Sequence, residues 1–130
     1  MGNKQLLVMI DDDIDDHEIF RMALNEIGEP VQCQFFVDCE SAIAHFLKNT
    51  STPPGYVFID IRLPRLNGDQ CLQELQQLKQ FDSPLLVVYS SSIPPEFRSK
   101  LAKVGVDKFL EKTGSIQLLA NRIEELLTVE

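Results

Sequence analysis

Three apolar runs and one mixed stretch each lead into polar residues of the kind that handle hard cations and phosphate. Leu6-Leu7-Val8-Met9-Ile10 gives way to Asp11-Asp12-Asp13, and Tyr56-Val57-Phe58-Ile59 to Asp60. Leu85-Leu86-Val87-Val88-Tyr89 ends in Ser90, and the run Val106 to Leu110 is followed, after Glu111, by Lys112. A carboxylate at the end of a buried run is costly unless it is paired or solvated. Carboxylates that repel one another stay together when a cation binds them, or when one keeps its proton. Asp11, Asp12 and Asp60 offer only oxygen, which points to a hard ion, Mg2+ in particular, with several waters retained. A lysine and a hydroxyl opposite such carboxylates supply the positive charge and donors that a transferred phosphoryl group needs.

Each residue also has a plainer reading. Asp13 can be the N-cap of a following helix, with Asp15 and Asp16 in its first turn favouring the helix dipole. Lys112 can be a surface lysine whose stem covers apolar area, and Ser90 can begin a loop. These readings leave Asp11 and Asp12 unexplained, because both precede the helix.

The elements that must position these residues alternate along the chain. Lys4 to Ile10 reads as a buried first strand. A helix follows from Ile14, with Ile19, Phe20, Ala23, Leu24 and Ile27 on its inner side and Gly28 as its stop. Val31 to Val37 alternates, and its Gln32 and Gln34 mark an edge strand. Next come a helix with Ala42, Ile43, Phe46 and Leu47 inward, a Pro-rich loop, and the strand ending at Asp60. A helix packed through Cys71, Leu72, Leu75 and Leu78 leads to the strand ending at Ser90. Pro94-Pro95 suits a helix start. That helix presents Phe97, Leu101 and Val104 and ends at Gly105. The strand Val106 to Leu110 and a last helix with Ile116, Leu119, Ile123 and Leu126 inward close the chain. Five strands alternating with five helices predict a parallel sheet covered on both faces. The fold class is α/β: doubly wound, flavodoxin-like, in strand order 2-1-3-4-5, as one domain over 1–130. In such a sheet the residues after each strand gather at one edge.

Composition narrows the function. Twenty acidic against twelve basic residues give a net charge of −8, with no basic stripe, so nucleic-acid binding is not expected. No run reaches membrane-spanning length and the N-terminus lacks a signal-peptide pattern, so a cytoplasmic protein away from membranes is expected. Cys33, Cys39 and Cys71 form no C-x-x-C pair, and the expectation is three small buried thiols rather than a disulfide framework. His17 and His45 have no ligand spacing around them, so no zinc site is expected.

The sequence resembles the receiver domain of bacterial two-component response regulators, over nearly its whole length. The resemblance rests on Met9-Ile10-Asp11-Asp12-Asp13, on Phe58-Ile59-Asp60-Ile61-Arg62-Leu63-Pro64 with Gly68, on Tyr89-Ser90-Ser91 and on Phe109-Leu110-Glu111-Lys112. The extended Asp11-Asp12-Asp13-Ile14-Asp15-Asp16 resembles a subgroup of stand-alone receivers. The resemblance implies that Asp60 accepts a phosphoryl group from a histidine kinase or histidine phosphotransfer protein. It implies Mg2+ held by Asp12 and Asp60 directly, by Asp11 through water, and by the backbone carbonyl of Arg62. Ser90 and Lys112 would bind the phosphoryl oxygens, Ser91 would offer its backbone N–H, and Ser90 with Phe109 would form the switch. The chain would catalyse its own phosphorylation and dephosphorylation rather than act as a conventional enzyme. It would be a monomer or weak dimer that signals through an unknown downstream protein.

Two residues depart from the family pattern. Thr113 stands where a proline usually follows the lysine, so Lys112 must reach Asp60 by a different loop path. Arg62 puts a large cation close to the site. Two further functions compete with the phospho-receiver: an unphosphorylated scaffold of the same fold, and a small metal-dependent phosphohydrolase.

Overall fold

The structure is a computed structural model that describes residues 5–28, 31–48, 55–60, 85–91, 93–103 and 105–128. It contains β1 (Gln5–Ile10), α1 (Ile14–Glu26), β2 (Val31–Phe36), α2 (Cys39–Lys48), β3 (Tyr56–Ile59), β4 (Leu85–Ser90), α3 (Pro95–Lys103), β5 (Lys108–Glu111) and α4 (Ile116–Thr128). The expected helix through Cys71, Leu72, Leu75 and Leu78 lies outside the described residues, as does Arg62. All strand pairings are parallel, and the sheet runs β2-β1-β3-β4-β5, as the alternation of runs predicts.

The continuous apolar runs follow from burial on both faces. Successive strand residues point to opposite sides, so Leu7, Met9, Tyr56 and Phe58 join Phe20, Ala23, Leu119 and Ile123 of α1 and α4 in one core layer. Val8, Ile10, Val57 and Ile59 join Ala42 of α2 and Leu101 of α3 in the other. A strand covered on both sides cannot alternate apolar with polar. The two edge strands keep polar positions: Gln32 is exposed on β2, which pairs with β1 alone, and Glu111 on β5, which pairs with β4 alone.

Two local expectations change. Gly28 does not end α1. The helix stops because Ile27 turns extended and its N–H bonds to the Leu24 carbonyl. Gly105, after α3, does take the left-handed conformation (φ 104°) that a side chain would strain. The expectation of three free thiols also fails, since Cys39 at the start of α2 is disulfide-bonded. Pairing depends on approach in space, which sequence spacing does not reveal. Cys33 is free, and burial pushes its thiol up to about 12.

Candidate functional site

Parallel pairing delivers the predicted residues to one edge. The ladder continues past β1 and β3: the Asp11 N–H bonds to the Phe36 carbonyl at 3.0 Å, and the Asp60 N–H to the Ile10 carbonyl at 2.9 Å. These two bonds set the carboxylates side by side. On the far side, the Lys112 N–H bonds to the Ser90 carbonyl at 2.8 Å, prolonging the β4–β5 pairing. Lys112 therefore leaves the sheet in register with the acids, with Thr113 after it. Its ammonium lies 3.3 Å from Asp60 Oδ1 and 3.2 Å from Asp11 Oδ2. Thr113 Oγ1 accepts the Ser115 N–H and the Ser115 hydroxyl accepts the Leu118 N–H, so a short polar turn leads into α4.

Asp11, Asp12 and Asp60 each place a carboxylate oxygen within 4.8 Å of the others. This is the trio that the sequence singled out for a metal. Asp11 is buried and Asp12 is exposed, so the cluster opens to solvent on one side. An all-oxygen set with a solvent-facing ligand fits a hard divalent cation that keeps part of its water. The floor is apolar: the Tyr89 ring is buried, with the Lys112 ammonium 5.2 Å from its centroid. Phe20 packs beneath, 5.6 Å from Tyr89 and 5.1 Å from Phe58.

Burial is the largest influence on Asp11 and raises its carboxyl to about 7. The Asp60 charge adds to the rise, and the Asp13 N–H and Lys112 oppose it. Burial alone would lower the Lys112 ammonium. Its hydrogen bond to Asp16 and the charges of Asp11 and Asp60 reverse this and raise it well above the ordinary lysine range. The Asp11 shift has a signed consequence. Below 3.8 both folded and unfolded chains hold the proton; between 3.8 and about 7 only the folded chain does. The stability linked to Asp11 is therefore fully present at low pH and lost as pH rises through 7. In metal-free buffer the urea midpoint should fall more between pH 5 and pH 8 in the wild type than in Asp11→Asn. Equal falls would show that Asp11 titrates normally.

Asp13 turns out to be the N-cap, its Oδ1 accepting the Asp15 N–H at 2.9 Å, so the plainer reading of that residue holds. Its own N–H bonds to Asp11 Oδ1 at 2.9 Å, which ties the cap to the acid cluster. Ser90 is buried at the end of β4, two residues past Val88, the partner of Ile59. Ser91, the next residue, is exposed. Phe109 is half-buried on the layer of α2 and α3 and lines a groove of about 330 Å3 with Arg98, Glu111, Arg122 and Leu126. The Arg98 guanidinium lies 5.3 Å over its ring.

Sequence reasoning missed two residues. Asp16, read as a helix-dipole carboxylate, contacts Lys112 Nζ at 2.6 Å. The two are 96 positions apart and no local signal links them. His17, read only as an unlikely zinc ligand, is buried, and its Nε2 lies 2.6 Å from the Asp11 carbonyl oxygen. With Nε2 protonated, the ring donates to that carbonyl and pins the loop carrying Asp11. His17 lies three residues before Phe20, on the buried side of α1, and that helical spacing is the signal the sequence holds. His17→Leu should lower stability by about 1–3 kcal/mol, because it leaves a buried acceptor unpaired. An unchanged urea midpoint would show that the bond contributes nothing.

The chain is 29% identical over 113 residues to Protein PilG of Pseudomonas aeruginosa, covering 85% of this chain and 82% of that protein. It is 22% identical over 128 residues to hybrid signal transduction histidine kinase D of Dictyostelium discoideum, covering 98% of this chain but only 8% of the kinase. In structure it resembles response regulator RPA3017, in red light signaling of R. palustris, with a TM-score of 0.80 at 18% identity, covering 94% and 90% of the two chains. With residues 8–124 matching the family model described as the response regulator receiver domain, the chain belongs to that family.

Proposed function

We propose that this chain is a phospho-receiver in which Asp60 takes a phosphoryl group from the phosphohistidine of a kinase or phosphotransfer protein. One observation carries the reading: the Lys112 ammonium and the Asp11–Asp12 pair converge on the Asp60 carboxylate at the open edge of the sheet. In the transfer, an Asp60 oxygen attacks phosphorus, the phosphorus–nitrogen bond breaks, and the imidazole leaves with the bond's electron pair. Lys112 offers its N–H donors to the phosphoryl oxygens as their charge shifts, with Ser90 and the Ser91 N–H on the neighbouring strand end. Asp11, Asp12 and Asp60, with the Arg62 carbonyl, would hold Mg2+, which neutralises phosphoryl charge when bound. Lys112 beside Asp60 supports this reading over an unphosphorylated scaffold, which has no use for a partly buried ammonium among acids.

The same reading extends to output. A phosphoryl group adds about −1.5 to −2 charges. Drawing Ser90 towards it would shift the loop into α3 and free space near Phe109, biasing the surface of α3, β5 and α4 towards a partner protein. A partner responds only through unequal affinity for the two states. We read residues 1–130 as one receiver domain, monomeric or weakly dimeric, in the cytoplasm. No helix among the described residues is long and apolar enough to cross a membrane. Incubation with phosphoramidate should add one phosphoryl group per chain with Mg2+ and far less without it. Turnover of free phosphate esters without a labelled chain would favour a phosphohydrolase, and no label in either condition would favour a scaffold.

A further inference from the structure

We infer that Asp16 is a positioning residue that aims the Lys112 ammonium at Asp60. The inference rests on the phospho-receiver reading and adds a residue to it. Lys112 carries a flexible stem whose ordering costs rotamer entropy. Its ammonium has three donors, and three carboxylates surround it: Asp16 at 2.6 Å, Asp11 at 3.2 Å and Asp60 at 3.3 Å. The contact to Asp16 is the shortest. Asp11 and Asp60 also belong to the carboxylate trio fit for a cation, and Asp60 is the acceptor itself. Asp16 is outside that trio, so its hold on Lys112 does not depend on what the trio binds.

Placement makes the hold firm. Asp16 sits in the first turn of α1, and α1 is fixed at its start by the Asp13 cap and along its length by Phe20, Ala23 and Leu24 in the core. The Asp16 and Lys112 side chains are only 18% and 16% exposed, so water screens the pair little. A charge-assisted hydrogen bond of this kind is short and about twice as strong as a neutral one. Asp16 thus fixes one ammonium N–H and leaves the others directed at Asp11 and Asp60. In the absence of that anchor, the stem is free to carry the ammonium out to solvent.

The test uses the full chain with phosphoramidate at saturating Mg2+, comparing wild type, Asp16→Ala and Asp16→Asn. Asp16→Ala should slow phosphoryl uptake about tenfold through misplacement of Lys112. Asp16→Asn keeps an acceptor oxygen in the same place and should recover most of the rate. Mg2+ affinity, read by calorimetry, should match the wild type in both, which also shows that both fold. Independently, the Lys112 ammonium protons should be protected from exchange in NMR spectra of wild type and Asp16→Asn, and lost in Asp16→Ala. Wild-type uptake and a protected ammonium in Asp16→Ala would overturn the inference. So would an Asn variant as slow as Ala, or Mg2+ affinity falling in step with rate. If the wild type itself takes no phosphoryl group, the phospho-receiver reading fails, and the ammonium signals alone decide the role of Asp16.

Discussion

Asp60→Asn should take up no phosphoryl group under conditions that label the wild type fully. The amide keeps the volume and the backbone bond to Ile10, so the fold at the end of β3 should persist. What it loses is the nucleophilic oxygen. The neighbouring carboxylates offer no substitute of equal placement. Asp11 has one oxygen committed to the Asp13 N–H and the other facing Lys112. Asp12 is exposed at the open side of the cluster. Intact-mass measurement after treatment with phosphoramidate and Mg2+ reads the outcome, and full labelling of Asp60→Asn would remove the acceptor from Asp60.

The second large effect concerns Asp12. Groups that merely orient a metal ligand cost about 10–100-fold in affinity when removed. A direct ligand should cost no less, so Asp12→Asn should weaken Mg2+ binding by at least about tenfold. In metal-free buffer the same change should raise stability, because it removes one of three mutually repelling charges whose oxygens lie within 4.8 Å. Opposite signs for metal affinity and apo stability distinguish a ligand from a residue that only supports the fold. Calorimetric titration with Mg2+ and a urea melt without it read both. An unchanged Mg2+ affinity would take Asp12 out of the ligand set.

The parts of this site that sequence reveals are those carried by burial. β1, β3 and β4 are covered on both faces, so their sequences are unbroken apolar runs, and the first polar residue after each marks the sheet edge. Asp11, Asp60 and Ser90 were legible for that reason, and so was the strand order, since helices between parallel strands restrict the connections. Asp13 was legible as a cap because capping is local. Asp16 was not, because its partner arrives from β5 and the local chemistry of a first-turn acid already explains it. His17 was hidden in the same way, by a bond to a backbone carbonyl that no residue type advertises. The end of α1 was misassigned to Gly28 because glycine permits a left-handed stop without requiring one, and Ile27 ends the helix in extended geometry.

A phosphoryl group carried on Asp60 leaves a direct chemical signature. Borohydride reduces an aspartyl phosphate to homoserine, so reduction of the labelled chain followed by peptide sequencing locates the acceptor directly. Homoserine is expected at position 60 alone, formed only when Mg2+ and phosphodonor are both present. Homoserine at position 11, 12 or 16, or a label that resists borohydride because it sits on histidine or a hydroxyl, would contradict it.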